Sequence, residues 1–171
     1  MLYRTEWKSP LGELILMATE DNLCLCDWKY RKMRASIDKR ILDHYKTEVR
    51  DESNEIINET IHQLNDYFEK KRTHFDIPLE LIGTEFQQRV WQELQRIPYG
   101  KTISYLQLSK NLGDEKAIRA AATANGANGL SILIPCHRVI GSDGALTGYA
   151  GGLPAKKKLL IIEGSGQREL F

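Results

Sequence analysis

The pattern of this 171-residue chain changes at Gly83. Ahead of it the apolar residues fall in short β-type runs. Behind it lie two N-terminal helix signatures, Thr84-Glu85-Phe86-Gln87 and Ser104-Tyr105-Leu106-Gln107. In each, a hydroxyl residue is followed three positions later by a glutamine, the spacing that lets the two side chains satisfy backbone donors reciprocally. The change agrees with an α/β (α+β) arrangement: a sheet-and-helix unit over 1–80, then a mostly helical unit over 84–171.

In the first part, residues 2–7, 14–18 and 23–28 read as strands of an antiparallel meander, turned at Ser9-Pro10-Leu11-Gly12 and Glu20-Asp21-Asn22. Cys24 and Cys26 are two apart and share a face of the third strand. A zinc site needs Cys-x-x-Cys spacing or further ligands nearby, so both thiols read as packed and inert. Residues 29–52 are strongly charged, with a helix expected around 31–44. Ile56, Ile57, Ile61, Leu64 and Phe68 recur at helical spacing, which predicts a helix over 54–70 capped by Ser53. Lys70-Lys71-Arg72 fall in its expected last turn, where cations complement the helix dipole. Residues 75–79 read as extended.

In the second part, Phe86, Val90, Trp91 and Leu94 form the buried face of a helix that Ile97-Pro98-Tyr99-Gly100 ends. A short helix to about Asn111, a turn at Leu112-Gly113 and a third helix over 115–125 capped by Asp114 make a helix-turn-helix pattern, which also occurs in helical proteins that never meet DNA. The third helix is rich in alanine, with Arg119 in its middle. Groove insertion and tight helix packing both select small residues there. Asn125-Gly126-Ala127-Asn128-Gly129 ends it, and both glycines suit positive φ. Thr147-Gly148-Tyr149-Ala150-Gly151-Gly152 is a flexible loop without phosphate-loop spacing. Pro154 opens a last helix whose Lys156-Lys157-Lys158 reads as a solvated face or as phosphate contacts. Residues 165–171 read as a frayed tail.

Composition narrows the function. Residues 1–100 carry 15 Lys/Arg against 18 Asp/Glu, and residues 101–171 carry 9 against 5. The second part is therefore the basic one, where a nucleic acid would lie. No signal-peptide core and no apolar run of transmembrane length is present, so the expected compartment is the cytoplasm (or nucleus in a eukaryote). Three cysteines without a secretory signal read as reduced thiols.

The remaining stretch is Ile134-Pro135-Cys136-His137-Arg138-Val139. A lone thiol in apolar surroundings is by itself an inert core residue; an adjacent imidazole is what turns it toward nucleophilic chemistry. This hexapeptide resembles the active-site signature of the O6-alkylguanine-DNA alkyltransferases. The resemblance extends through Phe86-Gln87-x-x-Val90-Trp91, Ile97 to Tyr105, Arg119, Asn128, Tyr149-Ala150-Gly151-Gly152 and Glu163-Gly164. It is strong across 84–164, weaker over 1–28 and 75–83, and absent from 29–52.

The resemblance implies an N-terminal ribonuclease-H-like unit and a C-terminal unit holding a helix-turn-helix and the reactive site. It implies direct reversal of O6-alkylguanine, and possibly O4-alkylthymine, in double-stranded DNA, with the alkyl group passing irreversibly to Cys136. On this view His137 is a water-linked base, Glu163 accepts its hydrogen bond, and Tyr105 approaches a guanine ring nitrogen. Backbone carbonyls at Cys136 and Val139 accept from the exocyclic amine. The Ala150 N–H meets the leaving oxygen, and Tyr149 lines the alkyl side. Arg119 replaces the flipped base while Ala120 and Ala121 let the helix enter the minor groove. Asn128 braces the segment ahead of Cys136, and Arg138 ties structure together. The expectation is a monomer with no cofactor and no membrane association, and with no metal, since the metal ligands that some relatives carry in their N-terminal part are not matched here. Gly129 stands where proline is common in the family, and Ala150 where serine occurs. A lesion-binding protein that does not transfer the group and a helix-turn-helix regulator remain the alternatives; the thiol at 136 argues against both.

Overall fold

The computed structural model describes residues 1–165. Beyond Ser165, the tail expected over 165–171 lies outside the described residues. The chain divides into two compact units. One comprises Met1–Ile82 with Gly129–Leu133, the other Gly83–Asn128 with the chain from Ile134 onward.

In the first unit β1 (Leu2–Ser9), β2 (Gly12–Ala18) and β3 (Leu23–Trp28) form the expected antiparallel meander. After α1 (Arg34–Tyr45) a two-residue strand, β4 (Val49–Arg50), pairs parallel to β1, giving the order β3-β2-β1-β4. Side chains of a strand alternate between faces. Ile15 and Met17 of β2 join Leu25, Ile37 and Ile41 in one apolar cluster beneath α1. The opposite face of β2, with Leu14 and Leu16, meets α2 (Glu55–Phe68), which buries Ile57, Leu64 and Tyr67. Each such side chain stabilises the fold by about 1.5–3 kcal/mol.

Two local expectations are corrected here. The cap of α2 is Asn54, whose side chain accepts from the Ile57 N–H at 3.0 Å, while the Ser53 hydroxyl turns to Asn58. The helix also ends at Phe68, and Lys70 adopts φ 61°, so the cluster Lys70-Lys71-Arg72 lies past the last turn and not within it.

Gly129–Leu133 completes this unit. The Cys26 N–H donates to the Gly129 carbonyl at 2.9 Å, the Ser131 N–H donates to the Cys26 carbonyl at 2.7 Å, and the Ser131 hydroxyl donates to buried Asp27 at 3.0 Å. Ile132, in the turn of this segment, has φ 74° and is buried. A β-branched residue in the left-handed region is a true outlier, held there by its surroundings.

The second unit opens with α3 (Glu85–Leu94), whose capping box at Thr84 and Gln87 is complete. Gly83 is required just ahead of it, because a Cβ there would fall 2.5 Å from the Trp91 ring. A short strand β5 (Ile103–Ser104) leads into α4 (Tyr105–Asn111). Ser104 caps α4, yet Gln107 donates its amide to Asn111 instead of turning back, so only half of the second capping box forms. Asp114 caps a 3-10 turn, Glu115–Ala117, which runs into α5 (Ile118–Gly126). Gly126 and Gly129 do not take the positive φ expected of them. The helix closes through Ala127 at φ −87°. Val139–Ile140 (β6) pairs parallel with β5, and α6 (Leu153–Ile162) follows, with Pro154 in its first turn. Among the described residues no helix is long and apolar enough to cross a membrane.

Candidate functional site

Cys136 opens a one-turn 3-10 helix, Cys136–Arg138, between Pro135 and β6. Pro135 has no N–H to continue a strand, and the Arg138 N–H returns to its carbonyl at 3.0 Å, closing the turn. Asn128 fixes the approach by donating its side-chain amide to the Ile134 carbonyl at 2.9 Å, the same carbonyl that accepts from the Cys136 N–H at 2.8 Å. Cys136 and His137 are both buried.

The His137 Nε2 lies 2.8 Å from Glu163 Oε2. Glu163 also accepts from Arg138, at 2.7 Å from Nε and 3.1 Å from Nη2. Burial works to raise the Glu163 carboxyl, but the bonds from His137 and Arg138 outweigh it and hold the group down at about 2. Glu163 is thus a carboxylate that only accepts. The proton between it and His137 therefore sits on Nε2, and Nδ1 carries the lone pair. That Nδ1 is buried and has no hydrogen-bond partner among the described residues. Burial, aided by the Arg138 and Lys156 charges, pushes the imidazole below its usual value against the pull of Glu163. A neutral histidine with an available Nδ1 is a base within one residue of a thiol.

Arg138 does more than the sequence suggests. Its Nη1 donates to the Ile97 carbonyl at 2.6 Å, and its guanidinium lies 5.7 Å from the centre of the Tyr99 ring. Tyr99 in turn donates to the Ile162 carbonyl at 3.2 Å. Gly100 (φ 81°) lets this loop pass close to the end of α6, since a Cβ there would stand 3.1 Å from the Glu163 carbonyl oxygen. The loop Ile97–Gly100 and α6 so grip the charged pair from two sides.

The glycine-rich loop comes back to the same place. Tyr149 packs edge-on to His137 with ring centres 6.4 Å apart, and Ala150 follows it, half-buried. The Thr147 hydroxyl donates to the Tyr105 hydroxyl at 3.0 Å. Lys156, read from sequence as solvated or as a phosphate contact, is fully buried. Its ammonium donates to the Val139 carbonyl at 2.7 Å and to the Thr147 carbonyl at 3.3 Å. The signal was present: Ala155, Lys156, Leu159 and Leu160 form one helical stripe, and all four are buried.

Arg119 and Ala120 are exposed on α5. Ala121 is not: it is fully buried, so its smallness serves packing within the unit and it cannot line a groove surface as expected. Trp91 donates its indole N–H to the Ala124 carbonyl on the same helix at 2.8 Å. The structure thus gathers Cys136, His137, Glu163, Val139 and Tyr149, joins Tyr105 to them through Thr147, and leaves Arg119 apart on the exposed helix face. Among the described residues no group of three or more His, Cys, Asp or Glu is placed to hold a metal.

Comparison with known proteins covers nearly the whole chain. Residues 2–81 match the 6-O-methylguanine DNA methyltransferase ribonuclease-like domain, and residues 85–165 match the 6-O-methylguanine DNA methyltransferase DNA binding domain. A methylated-DNA–protein-cysteine methyltransferase of Methanosarcina acetivorans is 41% identical over 164 residues, spanning 96% of this chain and 99% of its own. The constitutive methylated-DNA–protein-cysteine methyltransferase of Bacillus subtilis is 41% identical over 168 residues, spanning 94% of each. The crystal structure of Mycobacterium tuberculosis OGT in complex with DNA matches with a TM-score of 0.82 at 38% identity, over 94% of this chain and 92% of that one.

Proposed function

This chain belongs to the 6-O-methylguanine DNA methyltransferase family, and we propose that it repairs alkylated double-stranded DNA by moving the alkyl group from O6-alkylguanine onto Cys136. The observation that carries the reading is the buried relay of Glu163, the Nε2–H of His137 and a base-competent Nδ1 next to the thiol. Relatives named for this transfer span nearly the full chain, and one structural relative is seen in complex with DNA.

The steps balance without a cofactor. His137 Nδ1, through an intervening water, takes the thiol proton. The Cys136 sulfur attacks the alkyl carbon in line with the departing O6. An S–C bond forms, the C–O bond breaks, and the proton passes to the guanine ring, with Tyr105 as the donor nearest that edge. Glu163 stabilises the transient imidazolium, the role of the third member in any nucleophile–base–carboxylate set. The Ala150 N–H meets the leaving oxygen, the carbonyls of Cys136 and Val139 accept from the exocyclic amine, and Tyr149 packs on the alkyl group. Nothing regenerates the thiol, so each chain acts once.

A stacked base must leave the duplex to reach such a turn, at a cost of a few kcal/mol. Arg119 takes its place, and exposed Ala120 allows close approach of α5 to the groove. O4-alkylthymine presents the same alkyl–oxygen bond and is a second substrate. The test is incubation with duplex DNA containing O6-methylguanine. One methyl mass should appear on the peptide holding Cys136 and restored guanine in the DNA. Tight lesion binding with no mass gain would make the protein a sensor instead.

A further inference from the structure

We propose that Lys156 is a positioning residue of the transfer site: its buried ammonium ties the root of the glycine-rich loop, at the Thr147 carbonyl, to the Val139 carbonyl three residues beyond Cys136. This rests on the transfer reading and adds to it the device that sets the shape of the pocket.

The geometry is specific. Lys156 lies in the first turn of α6, directly after the loop, and is fully buried. Its two acceptors come from different segments, β6 and the loop, at 2.7 and 3.3 Å. The loop is held at the same residue from its other side, since the Thr147 hydroxyl bonds Tyr105. Thr147 is thus the point at which the residues proposed for the guanine edge (Tyr105), for the exocyclic amine (Val139) and for the alkyl side (Tyr149) are locked together. A lysine taken out of water needs strong compensation. Here carbonyl acceptors supply it, and the titratable groups that face the ammonium are Cys136 and His137 of the 3-10 turn.

Burial brings the Lys156 ammonium down to about 8, partly offset by Cys136. Charge-assisted bonds are about twice as strong as neutral ones, so the tie weakens as the lysine loses its proton. The fastening is therefore complete below that value and relaxes as pH rises through it.

The test separates pocket shape from thiol reactivity. Transfer from free O6-methylguanine base requires the pocket, whereas alkylation of Cys136 by iodoacetamide requires only the thiolate. In Lys156→Met, transfer should fall by about tenfold or more, because misplacement by even an ångström is that costly. Iodoacetamide labelling of the Cys136 peptide should change by less than about threefold, since the thiolate governs it. Equal losses in both assays would show that Lys156 acts on the thiol and would overturn the proposal, as would no loss in either. If Lys156→Met does not fold, the wild-type protein decides. Its transfer from the free base should itself fall between about pH 7 and about pH 9.5 as the ammonium is lost, while labelling does not fall, and transfer that holds or rises across that window refutes the tie. A wild-type chain that transfers nothing overturns the underlying reading together with this one.

Discussion

Cys26 and Cys136 are both buried thiols, and they stand beside opposite charges. Cys26 sits in the middle of β3 next to Asp27; burial first, and that carboxylate second, push its thiol far above the ordinary range. Cys24, two residues earlier, is pushed up to about 12 by burial and by Glu80. Cys136 instead begins a 3-10 turn, with a neutral histidine beside it and a lysine ammonium facing it. Burial is common to all three and so decides nothing. What separates an inert thiol from a nucleophile here is a neighbouring base with an available lone pair in place of a neighbouring carboxylate. The carboxylates differ likewise. Asp27 is closed off by Arg31 and Arg34, which keep their protons at neutral pH, and by the Ser131 hydroxyl, with no imidazole among these partners. Glu163 holds an imidazole as well as an arginine.

The largest expected effect tests this contrast directly. Cys136→Ala should lose methyl uptake entirely while still binding DNA, whereas Cys24→Ala and Cys26→Ala should each take up one methyl group per chain, read by intact mass. Uptake on β3 in any of them would break the contrast.

Glu163→Gln comes next. The amide cannot support an imidazolium, and transfer should slow by roughly 10²–10⁴-fold, the range of general acid–base contributions. It also leaves Arg138 without its carboxylate, a loss of about 3–5 kcal/mol in denaturant unfolding. The pH dependence has a definite sign. Glu163 is depressed from 4.5 to about 2, so its contribution is present above the unfolded value and is lost as pH falls toward about 2. Acid titration of wild type should show that loss, and Glu163→Gln should show less of it.

Arg119→Ala touches neither cluster. It should slow reaction with duplex DNA by about tenfold, through the flipping step, and leave reaction with free base unchanged. Equal losses in both assays would remove Arg119 from the role given to it.

What was legible in the sequence follows the range of the forces involved. Strands β1 to β3 and the helix starts at Thr84 and Ser104 were readable because alternation and capping are local. The attachment of Gly129–Leu133 to the first unit was not: Ser131 meets Asp27 across 104 positions, and no local pattern encodes that bond. The Cys136–His137 pair was readable as a thiol beside an imidazole, but its role and Glu163 entered through family resemblance, and the geometry that joins His137 to Glu163 is non-local in the same way. Lys156 and Ala121 were misread because a charged residue was assumed to face water and a small one a ligand. In both cases the neighbours on the helical stripe, Leu159 and Leu160 for one and Ala124 for the other, carried the better information.

The smallest effect sharpens the comparison from the side of the first unit. The Asn54 side chain accepts from the Ile57 N–H and also donates to the Thr19 carbonyl at 3.0 Å, so it caps α2 and pins it to the end of β2. Removing an N-cap costs about 1 kcal/mol. Asn54→Ala should therefore lower stability by that amount or somewhat more, while Ser53→Ala, whose hydroxyl is exposed and bonded to Asn58, stays within about 0.5 kcal/mol of wild type. Neither substitution reaches the 3-10 turn, so methyl uptake at saturating lesion should remain one per chain in both. If Asn54→Ala slows transfer in proportion to its loss of stability, then the inert part of the molecule does set the reactive part, and the division drawn between the two kinds of thiol is too sharp.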